Sequence, residues 1–435
     1  MKFIFHGGAK EVGKSCIELV VKDNNTFDNN QEKRFLLDAG LKFKENGFEA
    51  PFQVFDIPKI DGLFLSHAHL DHTGALPLFE HYNLLCPIFT TQQTKELTKI
   101  LLKDSYKIAR IKHLHPAYNK LDLKKVYANT KIVDFNKWYK HSNIEFKFLN
   151  AGHIPGSAMI LIRVEGKNIL YTGDYKYAST ELMKGIDSEQ FSEKDIDILI
   201  TESTYGGKPL PDRGVLEDAF LDKIAEVIKN GSVLIPVFSL GRAQEILILL
   251  SKKKWPVPIY LDGMAVDVTK TILSGNPSYL NERKKLQEMY RKADIIKKDK
   301  KRRKVINNKG IFITTSGMLQ GGPIVEYLEN MWGNPNNAFL LTGFQCKRTN
   351  GRLLLEEGYV YINGWKTYVK AQYQKFDFSG HSDDNELKKF IKLVNPKNLI
   401  INHGDEDAIS ALKVWAERNL AVKVYAPAVG DSIIF

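Results

Sequence analysis

Three histidines and an aspartate fall within the six residues His67-Ala68-His69-Leu70-Asp71-His72, directly after the apolar run Gly62-Leu63-Phe64-Leu65. An imidazole-rich turn at the end of a buried strand has little freedom, so its side chains converge on one place. Neutral imidazole with carboxylate is a donor set that suits zinc. The chain has only 11 histidines in 435 residues, so such a cluster is not background. Similar residues recur at similar places: His153 follows Phe146-Lys147-Phe148-Leu149, Asp174 follows Ile169-Leu170-Tyr171, and His403 follows Leu399-Ile400-Ile401. Each of these caps a strand. As a set they predict two ions, with His67, His69 and His153 on one, Asp71, His72 and His403 on the other, and Asp174 between them. Paired ions lower the pKa of a shared water and stabilise charge on an attacked group, which suits phosphodiester hydrolysis.

The rest of the chain indicates what carries this cluster. Residues 34–37, 60–65, 144–149, 159–164, 169–172 and 196–200 are β-rich apolar runs that end in polar residues. Residues 91–123 are rich in Lys and Leu at helical spacing, which predicts a helix. From 212 the pattern becomes βα alternation: helix 215–229, strand 232–238, helix 242–250, then strands 259–262, 310–315 and 338–342. Such alternation predicts a parallel sheet. A helix at 386–393 and a strand at 398–402 return to the first style, so the expected order is 1–208, an inserted domain at 209–364, and a return at 365–435. The first unit reads as an α+β sandwich or α/β layer. The charge sum of 62 basic against 51 acidic residues, +11, favours a polyanionic partner, nucleic acid first. Cys16, Cys86 and Cys346 are too few and scattered for a disulfide framework and fit a reducing, cytoplasmic setting. No apolar run approaches the roughly 18 residues of a membrane span, so no membrane partner is expected.

The motifs resemble those of the metallo-β-lactamase superfamily and, within it, the β-CASP nucleases. Asp38 in Leu36-Leu37-Asp38-Ala39-Gly40 looks like the first superfamily motif, His67–His72 the second, Ala151-Gly152-His153 the third and Thr172-Gly173-Asp174 the fourth. The β-CASP additions are matched by Glu202 in Thr201-Glu202-Ser203-Thr204-Tyr205-Gly206, by His381 in Phe378-Ser379-Gly380-His381-Ser382-Asp383, and by His403 in Asn402-His403-Gly404. The stretches 236–245 and 314–318 look most like archaeal and bacterial relatives of the cleavage and polyadenylation endonuclease subunit, with RNase J the near cousin. With Met1 almost at the first strand, no room is expected for the KH-type RNA modules of some archaeal relatives.

The resemblance implies an α/β fold: a metallo-β-lactamase αββα sandwich with an inserted α/β β-CASP domain, its parallel sheet flanked by helices. It implies two Zn2+ per chain. Catalysis would rest on His381 as general acid, Glu202 holding it protonated, Asp71, and Asp38 orienting a ligand imidazole. Phosphate contacts are expected from Ser239, Gly241 and Arg242 at a helix start, and from Ser316, Gly317, Lys347, Arg348 and Ser379. The run Lys297 to Lys304, KKDKKRRK, is read either as an RNA contact or as a solvated segment. The expected activity is zinc-dependent, two-metal cleavage of single-stranded RNA, endonucleolytic with added 5′-to-3′ exonucleolysis left open, in RNA processing or decay. Alternatives are a small-substrate metallo-hydrolase and a non-catalytic RNA-binding subunit. A homodimer through the apolar end Ile433-Ile434-Phe435 completes the expectations.

Overall fold

Two sheets face one another in the computed structural model, which describes residues 1–22, 32–44, 47–84, 86–111, 118–191, 195–275 and 277–435. The first runs Ser432–Ile434, Lys2–Gly7, Cys16–Lys22, Glu32–Leu37, Gly62–Phe64, Ile88–Thr90, Thr130–Ile132. The second runs Lys423–Tyr425, Asn398–Ile401, Ile198–Thr201, Lys167–Tyr171, Ala158–Val164, Ile144–Asn150, Trp138–His141. Between them Phe5, Phe35 and Phe64 of the first sheet meet Phe146, Phe148, Ile160 and Ile400 of the second, all buried. Each such side chain contributes about 1.5–3 kcal/mol of burial. Alternation puts Met159 and Leu161 on the opposite face, against Leu387, Phe390 and Leu412 of helices Asp384–Val394 and Glu406–Asn419. Covered on both faces, Lys167–Tyr171, Ile198–Thr201 and Asn398–Ile401 carry short continuous apolar runs in sequence, whereas Ile144–Asn150 is interrupted by exposed Glu145 and by Lys147. The outer face of the first sheet packs Leu63 and Ile88 on Leu78, Leu102 and Val126, from helices Leu76–His81, Gln92–Ile111 and Lys120–Asn129. The layers are therefore helix, sheet, sheet, helix.

The single helix expected over 91–123 is two. Asn119 starts the second by accepting from the N–H groups of Leu121 and Asp122, while Asp122 accepts from the N–H of Asn119. This reciprocal cap restarts the helix inside a stretch whose composition stays uniform. Residues 112–117, with His113 and His115, lie outside the described residues.

A third sheet has the order Asp294–Ile296, Ile259–Asp262, Ile311–Thr314, Val233–Pro236, Ala338–Leu341, Gln372–Lys375, with every pairing parallel. Its last strand, Gln-Tyr-Gln-Lys, lies beyond the expected division at 364 and is exposed throughout. Backbone pairing with Ala338–Leu341 places it, and no apolar period marks it. Helix Arg242–Leu250 has the expected bounds, and helix Arg213–Val227 begins early because the Asp212 side chain accepts from the N–H of Val215. Ala68, Leu97, Leu101 and Ile154 share one core with Ile246, Ile272 and Phe378, so the inserted unit is packed beside the histidine-bearing loops. At the other edge, Phe435 packs against Phe3 and Tyr425 while Ile434 is exposed. No helix among the described residues is long and apolar enough to cross a membrane.

Candidate metal centre

Strand direction explains why distant residues meet. Glu32–Leu37 and Gly62–Phe64 are parallel, and so are Lys167–Tyr171, Ile198–Thr201 and Asn398–Ile401. Ile144–Asn150 runs the same way, being two antiparallel steps from Lys167–Tyr171. Asp38, His67, His153, Asp174, Glu202 and His403 therefore all leave strands at one rim of the sandwich. The loops interlock tightly: a Cβ on Gly40 would lie 1.6 Å from the carbonyl oxygen of Asp71. One on Gly173, whose φ is +52°, would lie 2.6 Å from Ser66 Cβ. Only glycine fits either position.

Three groups of potential donors form there, each with ligand atoms within 4.8 Å of one another: His67, His69, His153 and Asp174; Asp71, His72, Asp174 and His403; and Asp174, Glu202 and His381. Asp174 belongs to all three. Its Oδ2 lies 3.6 Å from His67 Nε2 and 3.4 Å from His72 Nε2, and its Oδ1 lies 3.2 Å from His403 Nδ1. His153 Nε2 is 3.2 Å from His69 Nδ1, and His403 Nε2 is 3.6 Å from Asp71 Oδ2. His67 Nε2, His72 Nε2, Asp174 Oδ1 and both ring nitrogens of His403 are buried without a hydrogen-bond partner among the described residues. Orphaned buried polar atoms are costly, and converging imidazole and carboxylate donors are the set a divalent cation satisfies. The residues present fit metal.

Hydrogen bonds behind the donors fix their orientation. Asp38, fully buried, accepts from Ser66 N–H, Ser66 Oγ, His72 Nδ1 and Tyr171 OH, each at 2.7 Å. Ser66 Oγ lies 3.0 Å from His67 Nδ1, and His153 Nδ1 donates to the carbonyl of Gly380 at 2.8 Å. These contacts turn the other ring nitrogens of His67, His72 and His153 inward to where a cation would sit, and those of His67 and His72 have no partner among the described residues. Burial holds His67, His69 and His153 below the usual imidazole value, so their lone pairs stay available. Burial alone would raise the Asp174 carboxyl, but His403 and His72 beside it pull it well below the carboxylate range.

His381 comes from a turn, not a strand end. Ser379 Oγ accepts from its N–H at 2.9 Å, and its ring lies 4.6 Å from that of His153. His381 Nδ1 lies 3.0 and 3.1 Å from the two oxygens of Glu202, which also accepts from the Tyr175 N–H. Burial would lower this imidazole, but the Glu202 carboxylate outweighs it and raises His381 to about 9. With Nδ1–H committed to Glu202, Nε2 is the nitrogen left to meet another molecule.

The remaining candidates are placed less uniformly. Gly241 begins a helix, but its N–H donates to Gln244 Oε1 at 2.9 Å. Arg242 is ion-paired with Glu245 and lies over the Phe378 ring, leading into the His381 turn. A Cβ on Gly241 would sit 3.1 Å from Ile154, so the Ser239–Arg242 loop abuts the residue after His153. Ser316 bonds within its own turn to Gln320, and the Gly317 carbonyl accepts from Gln345. Lys347 and Arg348 are exposed. The run 297–304 is largely a short helix, Asp299–Val305, whose Arg302 is buried against Asp262, Asp299 and Glu326. Sequence reasoning missed Ser66, Tyr171 and the Gly380 carbonyl. Ser66 and Tyr171 adjoin motifs and Gly380 lies inside one, but nothing in residue type or spacing announced the contacts.

Comparison with known proteins agrees with this architecture. Residues 26–205 match the "Metallo-beta-lactamase superfamily domain", 243–354 the "Beta-Casp domain", and 368–427 the "Zn-dependent metallo-hydrolase RNA specificity domain". The chain is 42% identical to "Probable RNase MJ4" of Methanocaldococcus jannaschii over 100% of both chains. It is 34% identical to "RNase aCSPSF2" of Saccharolobus solfataricus over 98% of this chain and 84% of that one. It is 32% identical to "Transcription termination factor FttA" of Methanococcus maripaludis over 99% of this chain and 71% of that one. The chain belongs to the β-CASP nuclease family of the metallo-β-lactamase superfamily, a class of metal-dependent hydrolases.

Proposed function

We propose that this protein is a zinc-dependent ribonuclease that holds two ions and hydrolyses internal phosphodiester bonds of single-stranded RNA, in RNA processing or decay. The observation that carries the reading is Asp174, shared by both histidine groups and by the His381–Glu202 pair. His67, His69 and His153 would hold one ion, Asp71, His72 and His403 the other, with Asp174 common to both. Zinc, when bound, supplies Lewis acidity toward a phosphoryl group and a water activated near neutral pH. Asp38 and Ser66 keep the His72 and His67 rings turned inward, and the Gly380 carbonyl does the same for His153. Glu202 keeps His381 protonated, and its Nε2–H can be delivered to the departing ribose oxygen. The Ser239–Arg242 loop, which abuts Ile154 beside His153, is the surface assigned to a neighbouring phosphate.

The relatives' names and the RNA specificity description support RNA as the substrate. The large inserted unit and the His381–Glu202 pair disfavour a small-substrate hydrolase, and the complete donor set disfavours a non-catalytic role. Free Cys16, Cys86 and Cys346 support work in the cytoplasm, and the edge carrying exposed Ile434 is the surface proposed for a homodimer. The test uses a long 5′-labelled RNA bearing a monophosphate or a triphosphate, beside His381→Ala. Internal fragments from both substrates, slowed about 10²–10⁴-fold in the variant, are expected. Labelled mononucleotide released only from the monophosphate form would replace endonuclease with 5′-to-3′ exonuclease. Uncut RNA would sink the reading.

A further inference from the structure

A basic hollow of the described surface lies away from the candidate metal centre. It is a groove of about 850 Å³ between helices Gln92–Ile111 and Lys120–Asn129. Its walls carry Lys99, Lys103, Lys107, Arg110, Lys120 and Lys124, all exposed, and no carboxylate lines it. None of the six is in an ion pair among the described residues, although Asp104 lies beside Lys107 on the same helix. Spacing produces the stripes: 99, 103 and 107 share one helix face, as do 120, 124 and 127 on the other. Tyr106 and Tyr127 stand among these cations, half-buried, with Lys99 over the Tyr127 ring at 5.7 Å.

Clustered like charges without partners raise the local potential and select a polyanion. Cations interleaved with aromatic rings fit a single nucleic-acid strand, whose phosphates take the charges and whose bases stack. Both tyrosines are anchored on the core beneath the groove, Tyr127 also donating to the Lys99 carbonyl at 3.3 Å, so the part of each ring left at the surface is a fixed face on which a base can stack, which an acidic protein surface would not need.

Position adds a second argument. The helix starts at the metal centre, because the hydroxyls of Thr91 and Thr94 both donate to the carbonyl of Gly156, three residues after His153. From there it runs 20 residues, roughly 30 Å, and the lysine stripe begins about two turns along. A strand leaving the rim along this helix meets the groove within a few nucleotides.

We propose that this groove is an exosite that binds the single-stranded stretch of an RNA whose scissile bond lies at the metal centre. The inference rests on the ribonuclease reading for its substrate, and the test separates the two. Binding is measured by fluorescence anisotropy on the full chain carrying His381→Ala, so that the RNA survives, with and without Lys103→Gln, Lys107→Gln and Lys124→Gln together. The probes are a uridine RNA of about 30 nucleotides and one of about 4, across a range of KCl. For the long RNA the triple variant is expected to bind about 10- to 100-fold more weakly, with the slope of log K against log[salt] reduced by about 2. The short RNA is expected to show no change. The corresponding triple Arg variant keeps the charges and is expected to bind like the parent. Unchanged affinity and slope on the long RNA would overturn the proposal and assign the groove to another partner, such as an acidic protein. An equal loss on both RNAs would also overturn it, placing the lysines at the cleft. Cleavage by the unsubstituted chain is followed beside the binding. If that chain leaves RNA uncut, the ribonuclease reading fails while the binding result still judges the groove.

Discussion

Asp38 shows how one side chain is given its work by its neighbours. Its carboxylate accepts four hydrogen bonds and touches no substrate, yet it fixes His72 directly and His67 through Ser66. Asp38→Asn places an amide N–H against these donors, and zinc affinity is expected to fall about 10–100-fold while the fold persists. Competition with a chromogenic chelator measures this, and unchanged affinity would remove Asp38 from the centre. Glu18 offers a test of charge away from the site. Burial would raise its carboxyl, but hydrogen bonds to His6 at 2.9 Å and Arg34 at 2.6 Å hold it below the usual range. A carboxyl lowered on folding contributes stability above its unfolded pKa of about 4.3 and loses it as pH falls through the folded value. Glu18→Gln is therefore expected to cost about 1.5–3 kcal/mol in urea unfolding at pH 7, with the gap from the unsubstituted chain narrowing below about pH 4. An equal gap at both pH values would contradict this.

At the scale of elements, the structure separates charges that sequence could only group. In the segment 297–304, Lys298, Lys300 and Lys304 are exposed, whereas Arg302 turns inward to Asp262, whose carboxylate Tyr327 also donates to. Composition gives all the basic residues the same reading, and only the turn of a short helix tells them apart. Arg302→Ala leaves a buried carboxylate unpaired and is expected to destabilise by about 3–5 kcal/mol. Gln at the three exposed lysines is expected to stay within about 0.5 kcal/mol. Chemical denaturation checks both, and reversed sizes would refute the assignment. The legibility of the chain follows the same physics. Strand ends such as 62–65, 169–172 and 398–402 are legible because these short strands are buried on both faces and end in apolar runs, with the donor residues following within two positions. The edge strand Gln372–Lys375 was not readable because backbone pairing alone holds it. The split of 91–123 was hidden because Asn119 and Asp122 look like ordinary polar residues until their caps form.

Across the whole molecule, the candidate centre joins what the chain order keeps apart. Asp38 and His67 leave the first sheet, His153, Asp174 and His403 leave the second, and His381 lies in the turn after the inserted unit. Metal removal is therefore expected to loosen the joint between sheets as well as to stop cleavage. A ligand at 100–1,000 times its Kd stabilises by about 2.7–4.1 kcal/mol. Dialysis against a chelator is thus expected to lower the calorimetric Tm by several degrees in the unsubstituted chain and much less in Asp174→Ala. The most direct measurement is the zinc content of the purified full chain and of Asp174→Ala, by mass spectrometry of the metal against protein concentration. Two zinc ions per chain, falling to one or none in the variant, is the predicted result. A chain that takes up no zinc, or an Asp174→Ala variant that keeps the full amount, would contradict the account.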